Sequence, residues 1–370
     1  MRVALDARKL FDGGIGTYIQ GLMRALAVDH PHDEWNALVD PADAGRVLWP
    51  TAVRERVVRA GKYGLAEHFA VPAEARRAGA ELLHAPHYTL PLAWGGPSVV
   101  TIHDLIHIRF PRFHRPGVAL YARVMAGLAA KRARIVIADS EATKRDIVEL
   151  LGTPEEKVRV VSLGVSSRIQ RRPAGEVARF CEERGLPQGY LLYVGARKGH
   201  KNLGLLLRAS AAMRASERPP LVLSGRAWTG DDPLAVLAAS LGVTDAIWFA
   251  GDLRDDVELS CLYSGASLLL QPSLAEGFGL PPLEAMACGV PVLASDAGSL
   301  PEVLGDAAEF LPPREPAGWA ATSERLLDDR VRLAEMGVRG RARAAQYTWD
   351  HTARATHAIY AEALSTRSRP

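Results

Sequence analysis

A chain of 370 residues is long for one hydrophobic core and of ordinary size for two. Its 48% hydrophobic and 24% charged residues belong to a folded globular protein rather than a disordered or collagen-like one, and no run approaches the ~18 apolar residues of a membrane span. The net charge of +3 is uneven, with 23 Lys and Arg against 18 Asp and Glu in residues 1–170 and 22 against 24 in the remainder, but this falls far short of a nucleic-acid footprint. Cys181, Cys261 and Cys288 are widely spaced and form neither a disulfide framework nor a thiolate zinc site. The opening MRVALDARKLF mixes an acid and three basic residues into its apolar positions, unlike a signal peptide, so a reducing, cytoplasmic home is expected.

In chain order, Val3-Ala4-Leu5 reads as a buried strand, Gly13-Gly14-Ile15-Gly16 as a glycine turn, and the run from Tyr18 to Leu26 as a helix. Strand, glycine turn and helix open a Rossmann-like unit. Apolar runs at 98–102 (SVVTI), 134–138 (RIVIA) and 158–161 recur between helical or loop segments, as in a parallel sheet. Residues 166–189 are polar, carry Pro173, Gly175, Gly185 and Pro187, and read as an interdomain connection with a short helix. A second series of short buried strands follows at 190–194 (YLLYV), 221–223, 246–249, 267–270 and 291–294. Residues 348–364 place Trp349, Thr352, Ile359 and Leu364 on roughly one helical face, a last helix packed on a domain, and the final STRSRP is expected to fray. Two consecutive α/β units imply a cleft between them in which a ligand binds.

The chemistry concentrates in residues 271–289, QPSLAEGFGLPPLEAMACG, between two apolar strands. Gly277 and Gly279 let the backbone turn sharply beside a ligand, and Pro281 and Pro282 suit a first helical turn, where a missing N–H costs nothing. The helix that follows offers its N-terminal N–H groups to an anion, most naturally a phosphate. Glu276 and Glu284 bracket this loop; a carboxylate that accepts from vicinal hydroxyls grips a ribose. Gly195-Ala196-Arg197-Lys198-Gly199-His200-Lys201 repeats the pattern of strand, glycine and basic residues before a helix.

Residues 276–291, from Glu276 through Gly277-Phe278-Gly279-Leu280 to Glu284 and Pro291, resemble the Glu-x7-Glu signature of the group 1 (family 4) retaining glycosyltransferases. The resemblance extends to the N-terminal glycine loop, His103-Asp104, Ala138-Asp139-Ser140-Glu141, Lys201-Asn202 and Ser299-Leu300-Pro301-Glu302, so it spans nearly the whole chain. It implies an α/β GT-B architecture of two Rossmann-like domains facing across a cleft. The acceptor-side domain would take 1–167 and the returning C-terminal helix 349–366, the linker 168–188, and the nucleotide-sugar-binding domain 189–348. It implies that Glu284 binds the nucleotide ribose, that Gly277, Phe278, Gly279 and Leu280 meet the diphosphate or donor sugar, and that Glu276 faces that sugar. Lys201 matches the diphosphate lysine, His103 a histidine at the donor sugar, and Gly14, Gly16 and Gly195 the glycine loops beside the phosphates. Many members carry Arg directly after that last glycine, where this chain has Ala196, so Arg197 is expected to supply the charge, with His200 as the alternative and Lys198 facing solvent.

The implied activity is hexosyl transfer from a nucleotide sugar, GDP-mannose ahead of UDP-sugars, to a glycan or lipid-linked acceptor hydroxyl in polysaccharide biosynthesis, with no metal and no cofactor. An epimerase of the same architecture, a two-domain dehydrogenase and a non-catalytic binding module are the other readings. The missing Gly-x-Gly-x-x-Gly spacing weighs against the dehydrogenase. Glu276 has the further reading of a helix cap, Asp104 those of orienting His103 or capping, and Ser140 that of a cap. Residues 117–134 combine an apolar helical face with Arg123, Lys131, Arg132 and Arg134, and read either as a packed helix with a basic end or as a peripheral contact with anionic lipid.

Overall fold

Two parallel β-sheets, each with its own hydrophobic core, organise the computed structural model, which describes residues 1–253 and 255–365. The first unit comprises Met1–Gly164 and the chain from Tyr347 onward; the second is Val165–Gln346. Residues 366–370, and with them most of the tail expected to fray, lie outside the described residues.

The first unit runs β1 (Arg2–Asp6), α1 (Gly13–Asp29), β2 (Glu34–Val39), β3 (Val53–Val57), α2 (Glu67–Arg77), β4 (Leu82–Ala85), β5 (Ser98–Ile102), α3 (Ile106–Arg109), α4 (Val118–Arg132), β6 (Ile135–Ala138), α5 (Glu141–Leu151) and β7 (Val158–Val160). Among the described residues its sheet has seven strands in the order β3-β2-β1-β4-β5-β6-β7. The central strands β4, β5 and β6 are buried throughout, as both faces of a parallel sheet covered by helices must be. At the edge lies β3, VRERV, whose charged side chains discourage pairing with another chain.

The second unit continues with α6 (Ala174–Glu183), β8 (Leu191–Tyr193), α7 (Leu203–Ala212), β9 (Leu221–Leu223), α8 (Pro233–Ser240), β10 (Ile247–Phe249), α9 (Asp256–Gly265), β11 (Leu268–Gln271), α10 (Leu280–Ala287), β12 (Val292–Ser295), α11 (Leu300–Leu304), β13 (Glu309–Leu311), α12 (Pro316–Asp328) and α13 (Arg330–Ala344). Its strand order, β10-β9-β8-β11-β12-β13, is the doubly wound one, reversing between β8 and β11. Residues 168–188 fold with this unit: α6 packs on α9, and Phe180 and Cys181 are buried.

The last helix, α14 (Trp349–Ser365), packs on α1 of the first unit and buries Thr352, Thr356, Ile359 and Tyr360. A chain of buried polar groups ties it to the sheet: the Tyr360 hydroxyl lies 2.6 Å from His84 Nδ1, His84 Nε2 lies 2.8 Å from Thr101 Oγ1, and Thr101 Oγ1 lies 3.0 Å from the Tyr18 hydroxyl. Burial pushes the His84 imidazole down to about 3.

One local expectation changes. The cluster Gly13–Gly16 is not a turn ahead of the helix but the start of α1 itself, and the turn is made by residues 7–12, through Leu10 N to Ala7 O and Asp12 N to Lys9 O. Gly16 is buried because α1 comes close to the Leu10 carbonyl there.

Candidate active site

In a parallel sheet all strand ends of one sense lie along one edge, and ligands favour that edge where the strand order reverses. In the second unit the loops leaving β8 and β11, on either side of the reversal, carry Lys201 and Glu276. Lys201 Nζ donates to both Glu276 oxygens, at 2.8 and 2.7 Å, with the side chains 17% and 8% exposed. Glu276 Oε1 also accepts from Gln271 Nε2 at 2.7 Å and Ser273 Oγ at 2.6 Å. The carboxylate is therefore aimed by three donors, Gln271 and Ser273 from its own side and Lys201 from the facing loop. It does not cap α10, whose N-cap is Gly279.

Between the two glutamates the backbone turns through Gly277, the buried Phe278 and Gly279. Gly279 has φ +104°, and a Cβ there would lie 2.8 Å from a Leu300 methyl. Gly298 closes the turn from the other side: with φ +62°, a Cβ on it would come within 2.7 Å of Glu276 N and O. The buried Ser299 hydroxyl lies 2.8 Å from Phe278 O and 3.0 Å from Glu276 O, and Ser299 N donates to Glu276 O at 3.2 Å. Leu280 opens α10, with Pro281 and Pro282, which carry no N–H, in its first turn, so the glycine turn leads into the positive end of a helix.

Glu284 sits four residues into α10 and is half-buried. Its Oε2 accepts from the Tyr263 hydroxyl at 2.7 Å, and Tyr263 itself is buried on α9. Burial pushes the Glu284 carboxyl up to about 7, against the lowering effect of the Tyr263 hydrogen bond. Such a group changes charge near neutrality, and donors that bind it favour the anion.

The loop after β8 is split in character. Gly195 N donates to Ser224 Oγ at 3.1 Å, while Arg197 and Lys198 are exposed, with the Arg197 guanidinium 4.0 Å from Asp232. His200 is buried and its carbonyl accepts from Leu274 N at 2.8 Å, linking this loop to that of Glu276. Asn202 Nδ2 bridges Pro272 O and Pro313 O at 3.1 and 2.9 Å.

The remaining expected residues belong to the first unit. His103 follows β5; its Nδ1 lies 2.6 Å from Asp139 Oδ2 and its Nε2 3.0 Å from Pro86 O. Burial alone would lower this imidazole, but the Asp139 carboxylate raises it above the usual 6.5. Both partners are acceptors, so both ring N–H groups are spoken for in the cation. Asp139, not Asp104, is hydrogen-bonded to the ring; Asp104 accepts from Ile106 N at 3.0 Å, and the N-cap of the short helix is Leu105. Ser140 caps α5 through Thr143 N at 3.0 Å. Gly14 is exposed in the first turn of α1.

Gln271, Ser273, Tyr263, Asp139 and Ser299, which the sequence does not single out, hydrogen-bond to these candidate residues. Asp139 and Ser299 lie inside the motifs at 138–141 and 299–302, whereas nothing in the linear pattern marks Tyr263. Among the described residues the one group of side chains close enough to share a cation, His30, Asp33 and His357, lies in the first unit. Its two rings stack with centroids 3.5 Å apart and planes 6° from parallel, so both lone pairs cannot aim at one ion.

Residues 12–168 match the family described as Glycosyltransferase Family 4, and residues 178–343 match Glycosyl transferases group 1. The chain is 32% identical over 274 residues to O-antigen chain mannosyltransferase B of Escherichia coli, covering 73% of this chain and 71% of that protein. The protein is a group 1 glycosyltransferase. A D-inositol 3-phosphate glycosyltransferase of Kineococcus radiotolerans is 30% identical over 410 residues, covering 96% and 92% of the two chains. Sucrose-phosphate synthase from Thermosynechococcus elongatus matches this group 1 enzyme with a TM-score of 0.83 at 21% identity, over 98% of each chain. The crystal structure of Anabaena HepE in complex with UDP-glucose matches with a TM-score of 0.76 at 19% identity, over 98% of this chain and 100% of that one. These likenesses show the GT-B fold. Among the described residues no helix is long and apolar enough to cross a membrane.

Proposed function

We propose that this glycosyltransferase is a retaining, metal-independent hexosyltransferase that moves mannose from GDP-mannose to a hydroxyl of a glycan or lipid-linked acceptor. The observation that carries the reading is the Lys201–Glu276 pair beside the glycine turn and Glu284, all on the switch-point edge of the second sheet. Glu284 accepts from the ribose diol, and the amides of Gly277–Leu280 with the α10 N-terminus receive the diphosphate. Glu276 Oε2, which among the described residues accepts only from Lys201 while Oε1 has three donors, is the oxygen left for a sugar hydroxyl. That role is positioning rather than nucleophilic attack, since a carboxylate tied to an ammonium is a poor nucleophile.

Lys201 keeps a third N–H for the departing diphosphate, and Arg197 adds charge from the exposed side of the loop. The glycosidic bond to phosphate breaks as the acceptor oxygen bonds to the anomeric carbon, and the leaving phosphate oxygen takes the acceptor proton. Orientation and charge stabilisation then supply the rate. The mannosyltransferase relative supports the sugar. Relatives named for D-inositol 3-phosphate make that polyol phosphate the second acceptor class to try.

The test is turnover of GDP-mannose, and in parallel UDP-glucose, in the presence of chelator with pooled glycan acceptors, following the new anomeric proton by NMR. The expected result is an α-linked product from the α-linked donor, formed at an unchanged rate with chelator. An inverted product, abolition by chelator, or epimerised donor without acceptor would overturn the corresponding part of the reading.

A further inference from the structure

Helix α4 is apolar on two opposite faces, and only one of them meets the core. Ala122, Met125, Ala126, Ala129 and Ala130 pack inward, small residues that let the helix lie close on the sheet. On the outer face, at helical spacing of four, Leu120, Val124 and Leu128 are 68%, 50% and 39% exposed. Tyr121 widens the stripe, and Leu92, 41% exposed, extends it past the helix end, where Arg132 donates to Leu92 O at 2.7 Å. Scattered exposed leucines need no explanation, but an ordered stripe of large apolar side chains on one helix does.

The segment that carries the stripe holds charge of one sign. Residues 105–138 contain seven Arg and Lys and no Asp or Glu. Arg109 is neutralised from α5, by Asp146 at 2.5 Å and Glu149 at 3.3 Å. Arg112, Arg115 and Arg123 are exposed and, among the described residues, have no ion-pair partner. An apolar stripe bordered by unpaired cations is complementary to an anionic lipid surface, where the side chains enter the acyl boundary and the guanidinium groups meet phosphates. A second copy of the chain is disfavoured as the occupant, because a two-fold contact through this face would set its arginines against their own images.

We propose that the outer face of α4 is a membrane-docking surface for anionic lipid bilayers. It is independent of the donor chemistry argued above, since it lies on the other unit and uses none of the same residues.

The experiment is flotation of the intact protein with vesicles of phosphatidylcholine alone and of phosphatidylcholine with an equal share of phosphatidylglycerol. The expected result is binding only to the anionic vesicles, weakened by salt. Partitioning should fall at least about a hundredfold in the triple variant Arg112→Glu, Arg115→Glu, Arg123→Glu, at roughly fivefold for each cation lost near the surface before the repulsion of the new carboxylates is counted. Because a multiple variant can disturb folding, Leu120→Trp supplies a second readout: the fluorescence of the introduced indole should shift to the blue on adding anionic vesicles and not neutral ones. No binding at low salt, binding undiminished in the charge-reversed variant with an unshifted emission from Leu120→Trp, or a dimer abolished by the same substitutions would each overturn the proposal.

Discussion

Among the single side chains, Glu284 is the most sensitive to what it meets. Burial raises its carboxyl to about 7. The hydroxyls of a ribose would stabilise the anion, so binding must release a proton whenever Glu284 starts protonated. The affinity for a nucleoside diphosphate is therefore expected to be level above about pH 7 and to weaken on acidification, approaching tenfold per pH unit. Calorimetric titration of GDP between pH 8 and 6 checks this. Glu284→Gln should bind more weakly at pH 8 and lose the dependence; a parallel slope in that variant would mean the proton comes from the ligand or another group. Glu276 is held differently, by Lys201, Gln271 and Ser273 on one oxygen, which fix its position.

Between elements, the buried line Tyr360, His84, Thr101, Tyr18 fastens α14, β4, β5 and α1 together. Replacing Tyr360 by Phe keeps the ring packing but strands His84 Nδ1 where no water reaches. Leaving a buried polar atom unpaired costs about 1–3 kcal/mol. In a domain of this size each kcal/mol lowers Tm by roughly 2–4 °C. Differential scanning calorimetry should show that loss for Tyr360→Phe, with nucleotide affinity unchanged; an unshifted transition would show the contact to be unimportant. Residues that the sequence made legible as strands were those of uniform apolar character, such as SVVTI of β5 and LVL of β9, which form over the residues expected. The strands β2, β3, β4 and β13 were not read. VRERV, an edge strand, is charged at three of its five positions, and LLHA and EFL each carry a polar residue that breaks the uniform apolar run.

Across the whole molecule, the two family matches, 12–168 and 178–343, part close to the Gly164–Val165 boundary between the two units. Each unit has its own parallel sheet, its own reversal of strand order and its own polar constellation at the strand ends: His103 and Asp139 in the first, Lys201, Glu276 and Glu284 in the second. The ordered motifs along the chain made the glutamates and the lysine legible. Their supports were not, because Tyr263 reaches Glu284 from another helix and Asp139 reaches His103 from another strand, and linear spacing does not encode such contacts.

The central claim is that the second unit's strand edge holds a nucleoside diphosphate through Glu284 and Lys201. A thermal-shift titration with GDP, UDP, ADP and NAD, on the native protein, Glu284→Ala and Lys201→Met, tests it most directly. A ligand bound only by the folded protein raises Tm with its occupancy. Stabilisation by one nucleoside diphosphate, unaffected by chelator and lost in both variants, is the expected result. Stabilisation by NAD alone, or an equal shift in all three proteins, would contradict it.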